Sequence, residues 1–174
     1  MSEILRENRR KQVRCSRKVA FLTFFALSAA LYGQTVYVEM AIRGPERLST
    51  RENGFIRATA DGLLETLWEA GFIVYDSGDP ASRRQTHLPN VMKSARDGGA
   101  QLLLLVELET VRGGAADSLT ATSFNYRLMS VRDGSPVESG TAQVAGLLEP
   151  ALADREVYWT DLGGVVGREV LHAQ

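Results

Sequence analysis

Asp97-Gly98-Gly99-Ala100-Gln101-Leu102-Leu103-Leu104-Leu105-Val106-Glu107-Leu108 contains five consecutive large apolar residues, Leu102 to Val106. A strand with one wet face alternates apolar and polar positions, so an unbroken run reads as the central strand of a sheet, covered on both faces. The glycine pair before it and Val111-Arg112-Gly113-Gly114 after it leave too little room for a typical helix. Each large side chain withdrawn from water contributes about 1.5 to 3 kcal/mol, so few other segments compete with this one for the core.

Upstream, Thr35 to Ile42 alternates β-branched or aromatic residues with smaller ones and stops at Arg43-Gly44-Pro45, which reads as strand one. Ser49-Thr50-Arg51-Glu52 offers a capping box. The helix after it has Phe55, Ile56, Thr59, Ala60, Leu63, Leu64, Leu67 and Trp68 at three-to-four spacing, which predicts one buried face, with Arg57, Asp61, Glu65 and Glu69 on the other. Gly71 stops it, and Phe72-Ile73-Val74-Tyr75 follows as strand two, a right-handed crossover between parallel neighbours. A short helix beginning near Leu88 or Pro89 and burying Leu88, Val91, Met92 and Ala95 then feeds the central strand.

Downstream, Leu119 to Val131 reads as a long strand with at least one solvated face, and Arg132-Asp133-Gly134-Ser135 as a hairpin turn returning through Pro136 to Ala145. Gly146 to Ala153 reads as a loop. A last helix runs from about Asp154 or Thr160 to His172 and buries Leu162, Val165, Val166 and Val170. The expected order is β-α-β-α-β-β-β-α: one α/β (α+β) domain whose mixed sheet has three parallel strands plus an antiparallel hairpin, with helices on both faces of the central strand.

The 174 residues suffice for one such domain, residues 34–174, and a targeting segment, residues 1–33. Residues 1–30 carry seven Arg or Lys against two Glu, a charge of +5, and the remainder has 13 basic against 19 acidic residues, a charge of -6. That acidic balance argues against a nucleic-acid footprint. The basic start is followed by about fifteen apolar or small residues, Val19 to Gly33, which is signal-peptide length and short of a bilayer span. Export to the periplasm is expected, with an uncleaved inner-membrane anchor as the alternative. Cys15, the only cysteine, precedes the apolar run, so lipidation after that run is not supported and the mature chain has no thiol.

Polar candidates collect after strand two. Asp76, Asp79 and His87 sit where open α/β sheets gather ligands, and two carboxylates with an imidazole suit a divalent cation, although Asp76-Ser77-Gly78-Asp79-Pro80 is equally an ordinary turn. Arg83-Arg84 suit an acidic partner or a glycan phosphate, or stand simply solvated. Tyr158-Trp159 are candidate interface aromatics, or close the edge of the core. Gly163-Gly164 and Gly167 read as close helix packing rather than a phosphate loop. No Gly-x-Ser-x-Gly elbow or comparable catalytic frame occurs. No catalytic residue, metal site or cofactor is expected.

Four patterns in order resemble one group of bacterial envelope domains. They are Leu67-Trp68-Glu69-Ala70-Gly71-Phe72-Ile73-Val74 closing a helix, Ala95 to Leu104, the strand-turn-strand Tyr126 to Gly140, and a closing helix. The group is typified by the CsgG core, the amino-terminal domain of TolB and the penicillin-binding-protein activator LpoB, and flagellar basal-body accessory proteins use the same type of domain. The resemblance implies a non-catalytic periplasmic module that docks onto other envelope proteins as an assembly or regulatory adaptor. Its expected surfaces are the hairpin edge, where self-association is also expected, and the loops after the parallel strands. The competing class is a metal- or anion-dependent enzyme, or a glycan or small-ligand binder, using the loop from Asp76 to His87.

Overall fold

The computed structural model describes residues 33–44, 49–78, 87–113, 118–145 and 155–173. Two units divide the chain, Met1–Gly33 and Gln34–Gln174, and the second holds every element described. These are β1 (Thr35–Arg43), α1 (Thr50–Glu69), β2 (Ile73–Asp76), α2 (Leu88–Asp97), β3 (Leu102–Gly113), β4 (Ser118–Ser130), β5 (Pro136–Gln143) and α3 (Arg155–His172). The order is the expected one. The segment read as an export signal and the loop from Gly146 to Ala153 lie outside the described residues.

One five-stranded sheet has the order β2-β1-β3-β4-β5. β1 lies parallel to both β2 and β3, while β4 and β5 add on antiparallel, so the mixed sheet holds three parallel strands and a hairpin. β3 is the middle strand, and Leu104 stands between Val38 of β1 and Leu128 of β4.

Both crossover helices are started and stopped by local chemistry. The Ser49 hydroxyl accepts from the Glu52 amide at 3.2 Å, and the Glu52 carboxylate accepts from the Ser49 amide at 2.6 Å, which completes the capping box. At its far end α1 closes in a Schellman motif, where Phe72 N–H donates to Leu67 O and Gly71 N–H to Trp68 O, with Gly71 at φ 94°. α2 ends in the same way, through Ala100 N–H to Ala95 O and Gly99 N–H to Arg96 O. In each case the motif's two apolar residues, Leu67 with Phe72 and Ala95 with Ala100, are buried together, so the turn delivers the chain directly into the next parallel strand.

α1 and α3 cover one face of the sheet. Val38, Met40, Leu104, Val106, Leu108, Phe124 and Leu128 pack there against Ile56, Leu63, Trp159, Leu162, Val166 and Val170. The two helices approach closely because a Cβ at Gly62 would run into the Thr160 carbonyl, and one at Gly163 into the Thr59 carbonyl. Close packing is therefore the role of Gly163, as expected.

Coverage of the central strand differs from expectation on the opposite face. The ten residues of α2 span about 15 Å, so α2 shields only the start of β3, where Leu103 joins Tyr37, Val91, Ala95 and Met129 in a smaller core. Past the half-buried Leu105, the same face of β3 turns to Glu107 and Glu109. β3 also runs on to Gly113, with a register shift between Glu109 and Thr110. The hairpin turn is longer than a two-residue loop: Ser130 N–H donates to Ser135 O at 2.9 Å and Gly134 N–H to Ser130 O at 2.8 Å, with Gly134 at φ 73°.

Candidate interaction surface

The polar loop after β2 is only partly within the described residues. Asp76 ends β2, and its Oδ1 accepts from Gly78 N–H at 3.0 Å, the local turn arrangement rather than an outward-facing ligand set. His87 is exposed at the start of α2 and makes no side-chain cap bond. Asp79, Arg83 and Arg84 lie outside the described residues. Among the described residues, no three His, Cys, Asp or Glu gather as a metal site, and no helix is long and apolar enough to cross a membrane. Beside this loop the Tyr37 phenol is held protonated, its pKa pushed up by burial and then by the Glu39 carboxylate.

The two tryptophans exchange the roles their positions suggest. Trp159, a candidate interface residue with Tyr158, is 1% exposed. Its ring stacks on Phe55 at 5.8 Å, and half-buried Tyr158 meets it edge-on at 5.5 Å. Trp159 thus ties α3 to α1, and the alternative reading, closure of the core, is the one realised. Trp68, placed by periodicity on the buried face of α1, is 65% exposed. The cause is the way α1 shares its inner face between the sheet and α3. Ala58 and Gly62 are buried, with α3 close against Gly62, so the buried face of α1 lies on their side and position 68 falls outside it. Trp68 falls on the flank that carries Arg57 and Asp61. From that flank Arg57 Nη1 donates to the Gly78 carbonyl, just past edge strand β2, at 3.4 Å. Tryptophan is the residue type most enriched among the anchors of protein contacts. The helical wheel of α1 is the signal that could have found it from sequence, since position 68 lies seven residues after Asp61 and eleven after Arg57 and shares their side of the helix.

Both ends of the sheet are open among the described residues: β2 pairs only with β1, and β5 only with β4. β2 has four residues, whose first, Ile73, is 50% exposed. β5 has eight, Pro136-Val137-Glu138-Ser139-Gly140-Thr141-Ala142-Gln143, alternating exposed and half-buried from Val137 onward. On the sheet face that α2 leaves open, the Thr141 hydroxyl and Asn125 Oδ1 are 2.7 Å apart, and Arg43 pairs with Glu107 at 3.0 Å. Arg43 is largely exposed, so that pair contributes about 0 to 1 kcal/mol. A shallow groove of about 140 Å³ opens beside it, lined by Leu88, Leu105, Glu107, Asn125 and Arg127.

A five-stranded mixed sheet with two helices on one face and a short helix on part of the other defines the class. A PelC dodecamer from Paraburkholderia phytofirmans shares that fold at a TM-score of 0.50 and 15% identity, over 79% of this chain and 87% of that one. The LpoB carboxy-terminal domain from Salmonella enterica also matches, at a TM-score of 0.42 and 20% identity, over 64% of this chain and 82% of that one. TolB from Acinetobacter baumannii matches at 0.40 and 12%, over 81% of this chain and 28% of that one. At these identities the likeness is one of fold. No protein-family model and no curated protein sequence matches the chain.

Proposed function

We propose that this chain is an exported, non-catalytic envelope domain that acts as an assembly or regulatory adaptor through protein contacts. The observation that carries the reading is Trp68, 65% exposed on the α1 flank toward an open sheet edge, where a buried stripe was expected. The shared fold supports it, since the PelC it resembles is a dodecamer. The basic start followed by the apolar run Val19 to Gly33 supports export, after which the domain faces the periplasm, free or held by an uncleaved segment. The loop containing Asp76 and His87 is then a connection rather than a reaction centre.

The reading is tested by co-purification from chemically crosslinked envelopes, comparing the wild-type chain with Trp68→Ala. The expected result is a discrete envelope protein recovered with the wild type and reduced at least tenfold with Trp68→Ala, while the melting temperature stays within a few degrees. Equal recovery with both, or no enrichment over an unrelated exported domain, would overturn it.

A further inference from the structure

We propose that β5 is a self-association edge, on which a second copy of this chain lays its own β5 antiparallel about a two-fold axis at Thr141. The inference rests on the contact-based function above and supplies one of its partners.

The direction of the backbone groups sets the geometry. Val144 N–H donates to Thr122 O of β4 at 2.9 Å. Backbone groups alternate sides along a strand, so those of Glu138, Gly140, Ala142 and Val144 face β4, and those of Ser139, Thr141 and Gln143 face outward. Consistent with this, the Ser139 amide takes its acceptor from the adjacent Glu138 carboxylate, at 3.1 Å. In an antiparallel pair, residues that exchange both backbone bonds must both face the partner, so the axis is confined to registers that match odd positions with odd. With Thr141 on the axis, Ser139 stands opposite Gln143 of the other copy, and about six inter-chain N–H···O bonds form. A register centred on Gly140 would draw in Val137, where the β4–β5 pairing is already shifted between Leu128 and Met129.

The choice of a second copy as occupant follows from charge. From Val137 to Ala145 the edge has no Lys, Arg or Pro, the residues that usually block such an edge, and its only charge is Glu138. In the Thr141 register each Glu138 faces Val144 of the other copy, and the two Glu138 carboxylates stand about 20 Å apart along the strands. The edge is therefore complementary to itself. Sheet continuation through β2 of a neighbour is less suited, because β2 has half the length and ends in Asp76, which is level with Glu138 across the sheet through Val38, Leu104 and Leu128. Like charges set opposite each other there would oppose pairing.

The test uses the full chain in its envelope and after purification. In a Cys15→Ser background, Thr141→Cys places two thiols across the axis at a separation a disulfide spans, and Lys93→Cys, exposed on α2, serves as control. Mild oxidation is expected to convert most of the Thr141→Cys chain to a covalent dimer, at least five times the yield of the control. Light scattering is expected to give a dimer mass for the wild type and a monomer mass for Thr141→Pro, which removes an outward amide and the hydroxyl's bond to Asn125 but no backbone bond to β4, with unchanged circular dichroism. A monomeric wild type overturns the dimer, and if Trp68-dependent co-purification persists, the adaptor function stands without it. A dimer or larger assembly with no excess crosslinking at position 141, or one that survives Thr141→Pro, overturns the β5 pairing.

Discussion

Which tryptophan is buried follows from the helix face each one occupies: Trp68 shares the side of Arg57 and Asp61, while Trp159 faces α1. Trp159 fills the space between α1 and α3 against Phe55, so Trp159→Ala is expected to cost about 3 to 5 kcal/mol. Trp68→Ala should change stability by no more than about 0.5 kcal/mol. Urea denaturation of both variants checks the contrast, and a large loss at Trp68 would refute its assignment to the surface. Gly163→Ala places a methyl against the Thr59 carbonyl and the Leu63 amide, and should lose about 1 to 3 kcal/mol in the same measurement. Glu52 supplies the pH dependence. Burial alone would raise its pKa, but the Ser49 hydrogen bonds and the Arg112 guanidinium at 2.8 Å outweigh burial and hold the carboxyl below its usual range. A lowered folded-state pKa means the group stabilises the fold above the ordinary carboxylate pKa, and that contribution is lost as pH falls through the folded value. The stability gap between wild type and Glu52→Gln should therefore be open at pH 7 and narrow steadily below about pH 4.

At the scale of elements, much was legible because start and stop signals are local. The Ser49–Glu52 box, the glycines at 71 and 99, and the periodic valines of α3 each act within a turn or two of chain, and each element formed where they indicate. Gly71 and Gly99 occupy positive φ, 94° and 76°, so Gly99→Ala is expected to cost about 1 to 2 kcal/mol, read from the denaturation midpoint. What sequence could not reveal depended on distance between elements. Five apolar residues in β3 suggested full cover on both faces, yet α2 is too short to reach Glu107 and Glu109. The extension of β3 to Gly113 was likewise hidden, since its polar residues are kept in the ladder by pairing with Ser118 to Ala121 rather than by an apolar pattern. Of the candidate site, the open hairpin edge was legible from topology, whereas three-to-four spacing alone misplaces Trp68, which the helical wheel sets on the side of Arg57 and Asp61.

Among the described residues, a well-sealed core on one side is combined with a partly covered sheet face, two open edges and one exposed tryptophan. Its polar groups are dispersed: Asp76 closes a turn, Arg43 pairs with Glu107 at the surface, and no three His, Cys, Asp or Glu gather as a metal site among the described residues. Under the proposed adaptor function the molecule acts through what it touches, and export would place those contacts in the envelope. The most direct test is site-specific photocrosslinking in living cells, with a photoreactive residue replacing Trp68 in one strain and Lys93 in another. Adaptor function predicts a discrete adduct with an envelope protein from position 68 and none from position 93. Identical adduct patterns from the two positions, or none from either, would contradict it.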